Sequence, residues 1–334
     1  MTASPAEFGL AALLVLVMGV AIQRSTTCTV AAVEEIVSRR RASRAMAMLL
    51  AGLWVGALLL LADRLDRAAL VPPGAIPIPW QTAAGAVLLG FGSVINRACV
   101  IGSVGRLGSG EGAFLFTPIG LFAGFLAAFA AAGAAGVSLP MQQLWQVPVP
   151  AMPSPWLVLV LLLWLSWRAW RILRLAPRTL AGATRPLWRN VWSPLGATSI
   201  IGISFAILLL LAGAWSYPEM LARLASDGGT AADVEPFLLF LLLLAGSALG
   251  GWRRNGFSLR WPCWRHCLRA FAGGFVMALG SVLIPGSNDG LVLLGIPLML
   301  PHAMLALPVM ALTIAAALLL GRRLPALRPV VGLV

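Results

Sequence analysis

Apolar runs of about twenty residues recur along the chain, and short polar or arginine-rich stretches separate them. A helix needs about 20 such residues to cross the hydrocarbon core of a bilayer. Nine runs fit this description, at about 8–22, 45–62, 80–98, 113–137, 156–172, 195–215, 236–251, 268–284 and 302–320. The pattern predicts an all-helical integral membrane protein with about nine transmembrane helices.

Composition supports this prediction and excludes a soluble protein. Hydrophobic residues make up 60% of the 334 residues, and charged residues only 10%. Soluble domains carry about 25% charged residues, so a soluble globule could not bury this much apolar surface. The opening residues, MTASPAEF, lack the basic region of a cleaved signal peptide. We therefore expect the first run to stay as a membrane helix of a single polytopic domain over 1–334.

All 24 basic residues are arginines, and their distribution predicts the orientation. Eighteen accompany the ends of the first, fifth and seventh spans or close the chain, at 39–44, 168–189, 253–269 and 322–328. The opposite loops hold only Arg64, Arg67 and Arg223. Because arginine-rich loops stay cytoplasmic, we expect the N-terminus outside and the C-terminus inside. Clustering between spans suits anionic lipid head groups and argues against a nucleic-acid partner, despite the net charge of +13.

Three stretches rich in glycine or hydroxyl residues interrupt the apolar runs, at 19–36, 90–112 and 280–290. The remaining arginines, Arg24, Arg97 and Arg106, each lie at the end of a span in the first two stretches. Irregular backbone at membrane depth survives only where it is buried in protein or lines a watery cavity. We therefore expect these stretches to carry the function.

The second and third stretches resemble one another. GSVINRACVIG at 92–102 and GSVLIPGSNDG at 280–290 share four of eleven positions at an offset of 188 residues, with Cys99 facing Ser287. The predicted orientation makes the two copies antiparallel, which is typical of secondary transporters and channels with a site at the repeat interface. We predict inverted halves at about 8–137 and 195–320, joined by the span 156–172 and an arginine-rich cytoplasmic loop. Chance recurrence of Gly-Ser-Val is the alternative.

Asn288 and Asp289 precede an apolar segment, 291–300, that is too short to span and is predicted to be re-entrant. Its N-terminus would direct backbone N–H groups and a positive helix dipole toward the interior, which favours an anion. Either side chain could instead cap that helix. A carboxylate beside an anion path repels the anion unless it is protonated or paired, so the role of Asp289 stays open.

The stretches AIQRSTTCTVAAVEEI, GFGSVINRACVIGSVGRLG and GGFVMALGSVLIPGSNDGL resemble the motifs of the YeeE/YedE family of bacterial inner-membrane sulphur-transport proteins. Cys28 and Cys99 occupy the family's cysteine positions in the first two. The resemblance implies thiosulfate uptake, inverted helical halves, and short re-entrant helices that bring cysteines to a narrow central path. It also implies a cytoplasmic partner, a small TusA-like sulphur-carrier protein. We expect no cofactor.

Chemistry makes these implied roles plausible. A neutral thiol can hold the soft terminal sulphur of thiosulfate through weak S–H···S contacts, and conduction needs weak, serial sites. Arg24 and Arg97, each at a helix end, would raise the local anion concentration. The alternatives are that both cysteines are inert buried hydrophobes and that both arginines extend to the cytoplasmic head groups.

The sequence departs from the family at Ser287, where a cysteine is usual. Because a hydroxyl is a harder donor than a thiol, the preference could move from thiosulfate toward sulfite, sulfate or another sulphur compound. Cys263 and Cys267 lie near His266 in WPCWRHCLR, but a metal site there would need further ligands. We interpret them as interfacial cysteines outside the site.

The residues thus predict a permease, not an enzyme, for a small sulphur-containing anion. The substrate-path candidates are Cys28, Cys99, Ser287, Asn288, Asp289, Arg24 and Arg97. A membrane sulfurtransferase is a rival, but it would need a thiolate with an activating base, and the two histidines lie outside the central cysteine motifs. A subunit that only anchors a soluble partner would not need paired broken helices.

Overall fold

The computed structural model describes residues 5–25, 28–64, 80–137, 192–213, 215–226, 234–252, 257–259, 262–284 and 286–323, with a few isolated positions between 139 and 167. Ordered structure in these residues is helical, and no strand occurs among them. Eight stretches are long and apolar enough to cross a membrane. They match eight of the nine predicted spans, and the ninth, 156–172, lies mostly outside the described residues. The prediction of an all-helical multi-pass membrane protein is confirmed.

The first series of helices is α1 (Pro5–Ser25), α2 (Thr29–Arg39), α3 (Ser43–Arg64), α4 (Trp80–Asn96), α5 (Val100–Gly108) and α6 (Phe116–Ala135). The second series is α7 (Pro194–Ala212), α8 (Tyr217–Ser226), α9 (Val234–Trp252), α10 (Trp264–Leu283) and α11 (Pro301–Arg323). Between α10 and α11, a helical turn (Asn288–Gly290) continues into a π-helix (Leu291–Gly295). We call these two pieces segment 288–295.

Four helices stop inside the protein and are followed at once by a shorter one. The breaks separate α1 from α2, α4 from α5, α7 from α8, and α10 from segment 288–295. The residues immediately before the shorter helices are Cys28, Cys99, Ser216 and Ser287, and they are 8%, 1%, 7% and 1% exposed. Burial in protein satisfies the requirement that irregular backbone in a membrane stay away from lipid.

Small residues let the long helices approach closely. A Cβ atom added at Gly85 of α4 would lie 2.7 Å from the carbonyl oxygen of Gly280 in α10, and one added at Gly280 would lie 2.6 Å from that of Gly85. Glycine is therefore required on both sides of this crossing, as is usual where membrane helices pack. The contact holds the long helices that lead to Cys99 and to Ser287 against each other.

The remaining packing occurs in matching pairs. α1 packs on α9 and α3 packs on α7, while α4 packs on α11 and α10 packs on α6. α5 lies against α9, and segment 288–295 lies against α3. Each of these contacts between the two series thus has a counterpart in which the equivalent helices of the two series are interchanged.

One element differs from the prediction. The residues around Glu219 and Arg223 are predicted as part of an outer loop, but they form the helix α8, in which Tyr217, Pro218 and Met220 are buried. The helix is short and carries two charges, so its hydropathy does not resemble that of a span. Its apolar residues fall on one helical face, and that face packs against the protein.

Candidate functional site

Cys28 and Cys99 lie together at the starts of two short helices. Both have extended backbone at the N-cap, Cys28 for α2 and Cys99 for α5. The backbone N–H of Cys99 donates to Cys28 Sγ at 3.1 Å. Cys99 Sγ in turn accepts from the N–H of Thr29 at 3.4 Å and from that of Gly102 at 3.4 Å. Both thiols are free, so the pair is not a disulfide.

This geometry places two helix N-termini around two sulphur atoms. The first N–H groups of a helix have no partner within that helix, and the helix dipole adds partial positive charge there. At α2 and α5 these groups point to thiol sulphurs, which accept hydrogen bonds only weakly. An anion that reaches the thiols therefore meets a positive electrostatic environment, and no additional charged residue is needed to produce it.

A cavity brings both thiols together with residues from the end of the chain. Its polar lining consists of Cys28, Cys99, Thr198, Asn288 and Asp289. The rest is apolar and is contributed by Met48, Ala51, Ile101, Ile201, Val292 and Leu293. We call this the thiol cavity. It unites four of the seven predicted site residues, although up to 261 positions separate them in the chain.

Ser287 lies directly behind the thiol cavity. It is 1% exposed, and its hydroxyl donates a hydrogen bond to Oδ1 of Asp289. It occupies the N-cap position of segment 288–295, but its side chain makes no hydrogen bond to the backbone there. The structure therefore links Ser287 to the cavity through the Asp289 carboxylate and not as a cap.

Two hydrogen bonds join the broken helices of the two series. Asn288 Nδ2 donates to Thr29 Oγ1 at 2.8 Å, and the Tyr217 hydroxyl donates to the carbonyl oxygen of Val100 at 2.8 Å. Each bond connects a residue just after a break in one series to a residue just after a break in the other. Asn288 is 1% exposed, and its Oδ1 atom has no hydrogen-bond partner among the described residues.

A second cavity lies on the other side of Asp289. Its polar lining is Ser216, Tyr217 and Asp289, and Trp215 and Phe205 are among its apolar residues. We call it the hydroxyl cavity. The two cavities share four lining residues, Ile101, Ile201, Asp289 and Leu293. These four side chains form the partition between the cavities, and Asp289 is the only ionisable one.

Ser216, Tyr217 and Glu219 are not among the predicted site residues, although the sequence contains a signal for them. Applied to Cys28, the 188-residue offset between the repeated motifs points to Ser216, and applied to Thr29 it points to Tyr217. No Gly-Ser-Val motif marks that region, so composition did not reveal it. The hydroxyl of Ser216 accepts from the N–H of Glu219 at 3.4 Å, which is the bond of an N-cap.

The two predicted arginines lie outside both cavities. Arg24 is 1% exposed near the end of α1, so its guanidinium is inside the protein and does not extend to the head groups. Arg97 follows α4 with a left-handed backbone, φ 61°, and is partly exposed. Its charge interacts with those of Arg106 and Arg269, which makes a cationic region where α4 ends.

Cys263 and Cys267 are remote from this site. Cys263 is exposed at the N-cap of α10, and Cys267 follows one turn later. Across the described ranges, no group of three His, Cys, Asp or Glu residues could hold a metal ion.

Comparison with known proteins adds the family. A family model described as Sulphur transport matches residues 24–316, a stretch that includes both cysteine breaks and segment 288–295. No curated protein matches the chain. The resemblance inferred from the motifs is confirmed. With a match over most of its length, eight membrane-length helices and a buried thiol pair, the chain belongs to the Sulphur transport (YeeE/YedE) family of membrane proteins.

Proposed function

We propose that this membrane sulphur transporter is a permease that takes up thiosulfate or a closely related sulphur anion through a path lined by Cys28 and Cys99. The observation that carries the proposal is the hydrogen-bonded thiol pair at two helix N-termini in one cavity. The protein resides in the bacterial inner membrane, with its N-terminus outside and its C-terminus in the cytoplasm.

Both parts of the thiosulfate ion, the terminal sulphur and the charged oxygens, match this cavity. Its terminal sulphur is soft and interacts with the thiols, while its negative charge is stabilised by the N-termini of α2 and α5. These contacts are individually weak because neither thiol is a strong donor. A site of this kind binds the ion and still releases it, which conduction requires.

The path continues through the partition into the hydroxyl cavity. Ile101, Ile201 and Leu293 form an apolar constriction, and Asp289 and Ser287 supply the polar contacts beside it. The hydrogen bond from Asn288 to Thr29 holds segment 288–295 and the start of α2 together at the thiol cavity. Arg24 and Arg97, each at the end of a helix, raise the local concentration of anions outside the two cavities.

The two series of helices are inverted halves, at about 8–137 and 195–320, joined by the span 156–172. Their matching packing pairs support this proposal, as do the two bonds that tie Thr29 to Asn288 and Val100 to Tyr217. Those four residues exchange places under the 188-residue offset. A site between inverted halves can open to either side by movement of one half against the other.

A component that transfers sulphur to a cytoplasmic TusA-like carrier is the alternative. Sulphur transfer would require a thiolate nucleophile with an adjacent base. Neither histidine lines the described wall of the thiol cavity, and Asp289 is the only ionisable oxygen group there. The cavity therefore favours passage over covalent chemistry, and the carrier would receive its sulphur after transport.

Uptake by proteoliposomes that contain only this protein tests the proposal. We expect radiolabelled thiosulfate to enter faster than sulfite or sulfate, and replacement of Cys28 and Cys99 by serine to remove that preference. The matched control replaces Cys263 and Cys267 by serine, and it should leave uptake unchanged. Equal entry of all three anions, or full thiosulfate uptake by the Cys28 and Cys99 double variant, would contradict the proposal.

A further inference from the structure

Asp289 stands where the equivalent residue of the first series is apolar. It follows the break residue Ser287 by two positions, and Ile101 follows Cys99 by two positions, so the 188-residue offset relates Asp289 to Ile101. Both side chains line both cavities. An apolar side chain thus serves at the equivalent place in α5. The carboxylate is a departure from this correspondence, which suggests a role outside packing.

No ion pair between residues that the structure describes includes Asp289, which is 7% exposed. Its carboxylate accepts from the Ser287 hydroxyl, and the backbone N–H groups of Asp289 and Gly290 also interact with it. A second carboxylate is close, because a Cβ added at Gly290 would lie 3.7 Å from Glu219 Oε1 and 3.9 Å from Ser287 Oγ.

The groups that surround Asp289 come from every side. The thiol sulphurs of the cavity wall accept hydrogen bonds from backbone N–H groups. Helix α8 faces the carboxylate with a phenol and a carboxyl, followed one turn later by an exposed arginine. From α3 and α7 the cavity receives no ionisable group, and α11 packs on segment 288–295 beside a buried imidazole. The thiols are those of Cys28 and Cys99, and the phenol and carboxyl are those of Tyr217 and Glu219. The arginine is Arg223, and the imidazole is that of His302.

Among the described residues, the Oδ1 atom of Asn288, in the wall that it shares with Asp289, has no hydrogen-bond donor. Asn288 is 1% exposed and uses its amide N–H on Thr29. Unpaired buried acceptors are costly. A carbonyl oxygen and a carboxylate in the wall of one cavity favour a proton and disfavour an anion.

An anion at the thiols therefore faces two acceptors, one of them charged. Two like charges in a water-poor interior repel strongly, so the anion and the Asp289 carboxylate cannot occupy the site together. Protonation removes the conflict, because a neutral carboxyl has an O–H that donates to the anion or to Asn288 Oδ1.

We propose that Asp289 binds one proton for each anion transported, so that the protein is an anion–proton symporter. This inference rests on the proposed permease function. The carboxylate of Asp289 gains a proton as the anion enters the thiol cavity and loses it to Glu219 or to water when the anion leaves. No bond other than O–H forms or breaks, and nothing is oxidised or reduced. Coupling between two bound ligands is reciprocal. A bound anion therefore raises the proton affinity of Asp289 by the same factor as a proton on Asp289 raises the affinity of the cavity for the anion.

Proton uptake on binding is the first test and needs no transport. Sodium thiosulfate is added to detergent-solubilised protein in weak buffer with a pH indicator. We expect uptake of about one proton per bound anion in the wild type and at least a tenfold smaller signal in Asp289→Asn. That variant keeps a neutral side chain of the same shape, so it should still bind thiosulfate, with an affinity independent of pH.

The second test uses proteoliposomes under an imposed pH gradient. One unit of acid outside should accelerate thiosulfate uptake by up to about tenfold in the wild type. Asp289→Asn should retain slow uptake without that stimulation, and Asp289→Glu should restore it in part. The matched control is Glu235→Gln, a half-buried carboxyl at the start of α9 that lines neither the thiol nor the hydroxyl cavity.

The outcomes separate the two proposals. Uptake of thiosulfate without any proton signal, or a response to a sodium gradient in place of the pH gradient, overturns the symport and leaves the permease intact. If no gradient gives uptake of any sulphur anion, the permease itself fails. If Asp289→Asn does not fold, the wild-type proton uptake and the Glu219→Gln variant, which should slow proton release, still decide the question.

Discussion

The backbone N–H of Cys99 donates to the Sγ atom of Cys28 at 3.1 Å, although the two residues are 71 positions apart. The bond connects the starts of two short helices, and it directs both thiols into one cavity. The same backbone hydrogen bond thereby also positions the thiols that we propose to contact the anion. Changes at either cysteine should consequently affect both stability and uptake, and the type of substitution separates the two effects.

Replacement of Cys28 by alanine should destabilise the protein more than replacement by serine. Alanine leaves the buried N–H of Cys99 without an acceptor, at a cost of about 1–3 kcal/mol, whereas serine keeps an oxygen there. We expect a lower melting temperature for Cys28→Ala, and for Cys28→Ser a near-normal one with reduced thiosulfate uptake. Cys267→Ala is the control. Equal melting temperatures for the two Cys28 variants would contradict the bond's structural role.

Ser287 should influence the choice among sulphur anions. Ser287→Cys places a softer group beside Asp289 and should raise thiosulfate uptake relative to sulfite or sulfate. Ser287→Ala removes the hydroxyl that donates to the Asp289 carboxylate and should impair transport of the native anion. One neutral hydrogen bond contributes about 0.5–1.5 kcal/mol, so a several-fold shift is expected. Competition uptake on equal amounts of folded variants measures it, and an unchanged ratio in both would remove Ser287 from the path.

The crossing of α4 and α10 should tolerate no side chain. Gly85→Ala would bring a Cβ atom within 2.7 Å of the Gly280 carbonyl oxygen, and backbone on both helices would have to move. Such overpacking costs about 1–3 kcal/mol, so the melting temperature and the yield of folded protein should fall. Gly133 provides the matched control, because an added Cβ there has no atom within 4 Å. Gly133→Ala should be neutral or stabilise by about 0.5–1 kcal/mol.

The proposed inverted topology places the loops 138–155 and 177–190 on opposite sides of the membrane. Single cysteines introduced there, in a background with Cys263 and Cys267 replaced by serine, should react differently with a membrane-impermeant thiol reagent in intact cells. The first loop should react from outside and the second only after the membrane is opened. Labelling of both loops from the same side would exclude the topology and, with it, the inverted halves.

Much of the fold could be predicted from the sequence, because in a membrane the location of a helix depends mainly on local hydropathy. Local composition also marked the stretches around the break residues Cys28, Cys99 and Ser287, since glycine and hydroxyl residues are unusual inside apolar runs. The helix α8 did not stand out. Its ten residues include Glu219 and Arg223 and resemble a solvent-exposed loop, because the face that is buried becomes apparent only when α6 packs against it.

Individual residues of the site could be predicted from the sequence, but their spatial arrangement could not. The sequence by itself determined which residue types are available at each break and that they lie in interrupted, apolar stretches. Tertiary structure decided that Cys28 meets Cys99, that Asn288 bonds to Thr29, and that Asp289 stands between two cavities. These relationships join residues far apart in the chain. They depend on how closely glycine-lined helices approach, and that distance is a property of the packed helices together and of no single stretch of sequence.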